Sequence, residues 1–388
     1  MLQVGLEVLV RDDSLSFQGQ RIGYLSNQAS TTREFVHGRV VLQQKYGDRL
    51  TCLFSPQHGF FSEKQDNMIE SDHSIDAVTG LPIYSLYGEY RRPTPEMLDQ
   101  LDILLVDLVD VGTRVYTFLY TMAYCLEVAA EQNKRVVVLD RPNPIGGDGI
   151  EGNLLRADCT SFVGLYPLPM RHGLTFGELA LLINKEFHIN ADLQVVKMNG
   201  WRRSMLFRDT GFSWVSPSPN MPTPETALVY PGQVIWEGTN ISEGRGTTLP
   251  FEVVGAPYWQ HQPLLDRLKK TPLPGCVLRP IVFQPTSGKW VGQPCSGFQI
   301  HVTDQKNFLP YRTSLALLQA AIILYPEHFE YKQPPYEYEF KRLPMDLIIG
   351  DRELRCQMEN GQSILELEEA WQDELQAFDR KRKHYFLY

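Results

Sequence analysis

One pattern constrains this chain more than any other. Short, continuous apolar runs break off abruptly in polar residues, and helical spacing follows. The runs are Arg21–Ser26 (RIGYLS), Leu50–Ser55 (LTCLFS), Ile103–Leu108 (ILLVDL) and Arg135–Asp140 (RVVVLD). They are too short for helices and show no polar alternation, so each reads as a strand buried on both faces. Between the last two, Tyr116, Leu119, Met122, Ala123, Leu126 and Ala130 recur at helical spacing, and Asn133 is a stop signal. Thr94-Pro95 opens another helix. Strands alternating with helices are βαβ units, which gives an α/β fold with a mostly parallel sheet.

Thr175 and Glu178 form a T-x-x-E capping box ahead of a helix over 175–184, and a strand follows over 193–198. Trp214–Thr226 (WVSPSPNMPTPET) holds four prolines and reads as a rigid, extended loop. Past about residue 250 the texture changes to proline-punctuated strands (276–283 and 297–303) and helices near 313–324 and 363–383. With 388 residues this divides into a sheet domain over 1–250, which carries most of the pocket, and a smaller α+β auxiliary domain over 251–388.

Several function classes drop out. Lys plus Arg is 37 and Asp plus Glu is 46, a net charge of −9 that argues against nucleic-acid binding. No apolar run approaches the ~20 residues of a membrane span. The start at Met1 has no basic leader, which predicts a cytoplasmic protein. The closest cysteines, Cys276 and Cys295, are 19 residues apart, so no metal site is predicted. Gly147–Gly152 fits G-x-G-x-x-G, but two prolines separate it from its strand and no helix follows, so no nucleotide cofactor is predicted either.

In an open parallel sheet, ligands bind beyond the carboxyl ends of the strands. Those ends lead into Ser26-Asn27-Gln28, Pro56-Gln57-His58-Gly59, Asp107 with Asp110 and Arg114, and Asp140-Arg141-Pro142-Asn143. Singly, each is as readily a cap or turn residue, and Asp140-Arg141 a structural ion pair. Carboxylates recur in loops at Glu63, Asp66, Glu70 and Glu151, and most densely in 237–246 (EGTNISEGRG), which also brings Asn240, Glu243 and Arg245. That segment is either ligand-binding or a solvated loop with its own Glu–Arg pair. His172 beside Gly173 is a helix-entry turn or a ligand contact. Carboxylate pairs with Asn, His, Arg and aromatics such as Tyr84, Tyr87, Tyr116, Tyr230 and Trp236 suit carbohydrate hydrolysis, which needs an acid for the leaving oxygen.

At these same residues the chain resembles the bacterial exo-β-N-acetylmuramidases of peptidoglycan turnover. The matching blocks include IGYLSNQAS, SPQHGF, TGLPIYSLYG, RRPTPEML, LDILLVDLVDVGTRVYTF, VVVLDRPNPIGGDGIEG, RHGLTFGELA, PSPNMPT and EGTNISEGRGTTLPFEVVGAP, in order over about 20–258. The resemblance implies a Rossmann-like N-terminal domain, an auxiliary C-terminal domain, and a pocket between them that releases terminal N-acetylmuramic acid. The ligand it implies is an amino sugar or muropeptide.

The chain departs from the family at its turn. The relatives carry P-E-H-G, whose Glu is the favoured acid, and this chain has Gln57. They carry an Arg where Phe61 stands, and an Ala-Gly-acid triplet where Asp66-Asn67-Met68 stands. Glutamine cannot act as a general acid, so a displaced carboxylate, Glu63 or Asp66, is expected to replace it, Glu63 being the choice, with His58 and Asp110 as positioning or base groups. Asn27, Gln57, Arg114, Tyr116, Asp140, Arg141, Asn143, His172, Asn220, Glu237, Asn240, Glu243 and Arg245 are expected to line the substrate site, with Arg114, Arg141 and Arg245 as candidates for the lactyl carboxylate. Two classes stand: a glycoside hydrolase, and a muropeptide-binding protein without turnover.

Overall fold

The computed structural model describes residues 2–12, 17–66 and 68–388. Met1, and Asn67 of the Asp66-Asn67-Met68 triplet, lie outside the described residues. The predicted runs are strands β1 (Ile22–Ser26), β2 (Leu50–Ser55), β5 (Ile103–Asp107), β6 (Arg135–Leu139) and β9 (Asp192–Val196). An edge hairpin, β3 (Ser74–Ile75) and β4 (Pro82–Ser85), completes a seven-stranded sheet of order β3-β4-β2-β1-β5-β6-β9. Only the β3–β4 pair is antiparallel.

Every residue of β1 and β5 is buried, because helices cover both faces. Alternate residues divide between two cores. Leu104, Val106, Val136 and Val138 pack with the helices Phe118–Glu131 and Phe176–Glu186. Ile103, Leu105, Val137 and Leu139 pack with Gly5–Arg11 and Gly38–Tyr46. This is why the runs show no polar alternation. Register sets Leu25 beside Phe54 and Ser26 beside Asp107, so the carboxyl ends form one rim.

The capping box forms as predicted: Thr175 accepts from the Glu178 amide at 3.3 Å, and Glu178 accepts from the Thr175 amide at 3.0 Å. The proline-rich loop is extended only as far as Thr223. There Thr223 caps a helix, Pro224–Gln233, whose first position suits a proline with no N–H to lose. The Gly147–Gly152 loop leads into a two-stranded ribbon, β7 (Glu151–Leu154) with β8 (Pro169–Arg171). Arg382 and Arg203 donate to the Gly147 carbonyl at 2.8 and 3.0 Å.

Beyond it, β10 (Val253–Ala256), β11 (Cys276–Phe283) and β12 (Cys295–Val302) form an antiparallel sheet of order β10-β12-β11. The helices Pro310–Leu324 and Ile364–Arg382 lie with it, and their Tyr311, Leu315 and Trp371 continue the core that contains Val106. The helix Pro224–Gln233 packs on Pro310–Leu324 so closely that a Cβ on Gly232 would meet the Pro310 carbonyl at 1.9 Å. Gly232→Ala is therefore expected to destabilise the fold by about 1–3 kcal/mol, read as a lower urea midpoint with an unchanged slope.

Candidate active site

A cavity lies on the rim. Each wall comes from a different part of the chain. The turn after β2 supplies Gln57 and His58, the segment after β5 supplies Tyr116 and Thr117, and the proline-rich loop supplies Ser218 and Asn220. Tyr230, Glu237, Arg245 and Phe251 form another wall, and Tyr336 with Glu337 closes the last. Glu237 and Arg245 also line a wider groove of about 1120 Å³, with Asp66, Asn240, Glu243, Lys289 and Lys332.

The carboxylates of this cavity occupy opposite environments. Burial pushes the Glu237 carboxyl up, but Arg245 and Tyr336 outweigh it and hold the group below the ordinary value. Arg245 Nη2 is 2.5 Å from Glu237 Oε1, and the Tyr336 hydroxyl donates to Oε2 at 2.7 Å. Among the described residues, no Lys, Arg or His side chain forms a salt bridge with Glu337. Burial raises its pKa, against the bonds it accepts from Tyr87 and Gln57. Tyr87 donates to Glu337 Oε2 at 2.6 Å, and Gln57 Nε2 donates to Oε1 at 3.0 Å. One carboxylate held ionised beside one biased toward its acid form is the division of labour that acid chemistry on a glycosidic bond requires.

His58 stands beside them with a positive φ of 75°. Its Nδ1 is 2.8 Å from the Lys64 carbonyl, which can only accept, so Nδ1 carries the proton and Nε2 the lone pair. Burial lowers its pKa to about 4, which keeps the ring neutral at higher pH. The loop beyond is tied to the proline-rich segment: Ser62 donates to the Pro217 carbonyl at 3.1 Å, and Gln65 Nε2 donates to Asn220 Oδ1 at 3.2 Å. Asn27 donates to the same Pro217 carbonyl at 2.6 Å and so shapes the wall from behind.

Of the residues expected to form the site, Gln57, His58, Tyr116, Asn220, Glu237 and Arg245 meet in the cavity, and Asn240 and Glu243 line the groove. Glu63 does not join them. Its carboxyl is exposed, curls back over Gly59, and accepts from the Phe61 amide at 3.2 Å.

Asp110 and His172 are a buried pair, with Nε2 at 3.2 Å from Oδ2, and lie outside the cavity lining. Asp140 caps the helix Phe176–Glu186 through the Gly177 amide at 2.7 Å and Thr175 Oγ1 at 2.8 Å. Arg141 is spent on Asp107 at 2.5 and 2.9 Å, and Asn143 donates to the Leu174 carbonyl at 2.9 Å. Arg114 donates to the carbonyls of Asn153, Leu168, Ile348 and Ile349. Of the three arginines considered for a lactyl carboxylate, Arg245 alone lines the cavity. Among the described residues, no group of three His, Cys, Asp or Glu side chains is placed to hold a metal ion.

Tyr336 and Glu337 carried no signal in the sequence. They sit in 334–339 (PPYEYE), and Glu337 is 280 residues from Gln57.

Two solved structures share this fold. A DUF1343 family protein from Bacteroides fragilis superposes with a TM-score of 0.90 at 33% identity, covering 100% of this chain and 99% of that one. A second from the same organism gives 0.77 at 27%, with the same coverage. The fold is thus that of a DUF1343-type α/β protein. More narrowly, the chain belongs to the exo-β-N-acetylmuramidase NamZ family, whose N-terminal model matches residues 22–225 and whose C-terminal model matches 228–388. It is 44% identical over 387 residues to the peptidoglycan β-N-acetylmuramidase NamZ of Bacillus subtilis (strain 168), covering 100% of this chain and 91% of that protein.

Proposed function

We propose that this protein is an exo-acting glycoside hydrolase that removes terminal N-acetylmuramic acid from the non-reducing end of peptidoglycan-derived glycans or disaccharides. The observation that carries this is the cavity itself, with Glu237 ionised, Glu337 biased toward its acid form, and a wide groove leading away. In this reading the terminal sugar meets the cavity and the remainder of the glycan follows the groove. Arg245, held between Glu237 and Glu243, is the arginine of the cavity lining and the candidate to meet a lactyl carboxylate, and Tyr116 and Tyr230 offer apolar faces to a sugar ring. His58 Nε2 is the base for the attacking water, and the Glu237 charge stabilises the cationic transition state.

The test is incubation with a muramyl-(β1,4)-glucosaminide disaccharide, with products followed by mass. Release of free N-acetylmuramic acid is expected. An intact disaccharide across pH 4–9, with the protein folded, would count against hydrolysis. Binding without turnover is the second reading, favoured by Gln57 alone, and predicts saturable binding of the uncut disaccharide.

A further inference from the structure

We infer that Glu337, and not Glu63, is the proton donor of this site, with Gln57 as its positioning residue. The inference rests on the hydrolase reading above and names the group that reading leaves open.

Hydrogen-bond direction comes first. The Tyr87 hydroxyl accepts from the Met68 amide at 3.0 Å and from Gln57 Nε2 at 3.0 Å, so its own proton goes to Glu337 Oε2. Gln57 Nε2 spends its second proton on Glu337 Oε1, while Gln57 Oε1 accepts from Thr117. The amide is thus fully committed and presents Glu337 with a donor in a fixed place. Each carboxyl oxygen keeps a second lone-pair direction, and Glu337 lines the cavity. A proton carried there meets a glycosidic oxygen bound in the cavity. Glu63 offers no such geometry, since it is exposed and outside the lining.

The backbone supplies an independent argument. Tyr336 and Glu339 exchange both of their amide–carbonyl bonds at 2.9 Å, so Glu337 and Tyr338 form a two-residue hairpin turn. Both have positive φ, 45° and 65°. That is the type I′ pattern, which favours Asn-Gly and costs bulky residues roughly 1–3 kcal/mol each. The strained pair is pinned on both sides: Glu337 by Tyr87 and Gln57, and Tyr338 by Arg91 over its ring at 3.5 Å. A turn that any Asn-Gly would make more stably is here used to aim a carboxyl into the cavity.

The chemistry balances. The Glu337 proton passes to the glycosidic oxygen as its bond to C1 breaks, the electron pair going to that oxygen, and the leaving sugar departs as an alcohol. Water then bonds C1 and gives a proton to His58 Nε2. His58 releases that proton to solvent, and the Glu337 carboxylate is reprotonated from solvent. The titratable and charged groups around Glu337 are Tyr87, Tyr230, Tyr336, Glu237 and Arg91. Turnover therefore falls as pH rises through the Glu337 pKa, which burial holds above the usual Glu value.

The experiment compares wild type and Glu337→Gln on two substrates: the muramyl-glucosaminide disaccharide, whose leaving oxygen needs a proton, and 4-nitrophenyl β-N-acetylmuramide, whose leaving group departs as the anion. E337Q is expected to lose about 10²- to 10⁴-fold in kcat/KM on the disaccharide and far less on the nitrophenyl glycoside, with the alkaline limb of the pH profile abolished on the latter. Should E337Q not fold, Glu337→Asp reads the same ratio. Equal losses on both substrates, or none, overturn the assignment. An active wild type with an unimpaired variant defeats only this inference, whereas a wild type inert on both substrates defeats the hydrolase reading with it.

Discussion

Glu237→Gln is expected to lower kcat on the proposed substrate by about 10²- to 10³-fold, the scale of losing one preorganised electrostatic group aimed at developing charge. Arg245 and Tyr336 keep Glu237 ionised despite burial, so its charge is already in place when C1 becomes cationic. The amide keeps the side-chain shape and can still accept from Tyr336. What disappears is the charge, so the loss should fall on kcat and leave KM nearly alone. Arg245 retains Glu243 at 3.3 Å, which limits the damage from its lost partner. Steady-state kinetics with a parallel melting curve checks this. An unchanged kcat would remove Glu237 from the transition state and leave it a scaffold for Arg245.

The second large effect concerns stability. Arg114 is fully buried, and its Nη1 donates to Asn153 and Leu168 at 2.8 Å each while Nη2 donates to Ile348 and Ile349 at 3.2 and 2.6 Å. No carboxylate pairs with it in these bonds. Burial accordingly lowers its pKa, and carbonyl dipoles compensate the charge. Arg114→Met leaves four carbonyls without that donor and should cost about 3–5 kcal/mol, seen as a lower urea midpoint. Arg114→Lys should recover little, because a single ammonium cannot span two pairs of carbonyls. Were Arg114 a substrate ligand, the lysine variant would instead raise KM at an unchanged midpoint.

The buried strands were legible because burial on both faces removes polar alternation, and their carboxyl ends follow from the parallel topology. That logic reached Gln57, His58 and Tyr116. The edge hairpin β3–β4 and the ribbon β7–β8 escaped it because they are short, led by Pro82 or built on Glu151-Gly152-Asn153 with little apolar content. Among charged residues the sequence could not separate ligands from struts. Arg141 and Arg114 look alike as residues on rim loops, yet one is locked to Asp107 and the other to backbone carbonyls. Glu63 was misplaced for a local reason: His58, Gly59 and Ser62 all have positive φ, and the turn carries the following carboxyl outward. Glu337 was invisible because what places it is a contact made across most of the chain.

That last contact has a consequence for how the molecule matures. Gln57 and Glu337 meet only when segments 280 residues apart have docked, and Arg114 fastens the same closure through Ile348 and Ile349. A chain that has built its parallel sheet but not yet seated the later segment lacks the Gln57–Glu337 contact. If Glu337 is the proton donor, activity reports completion of the fold.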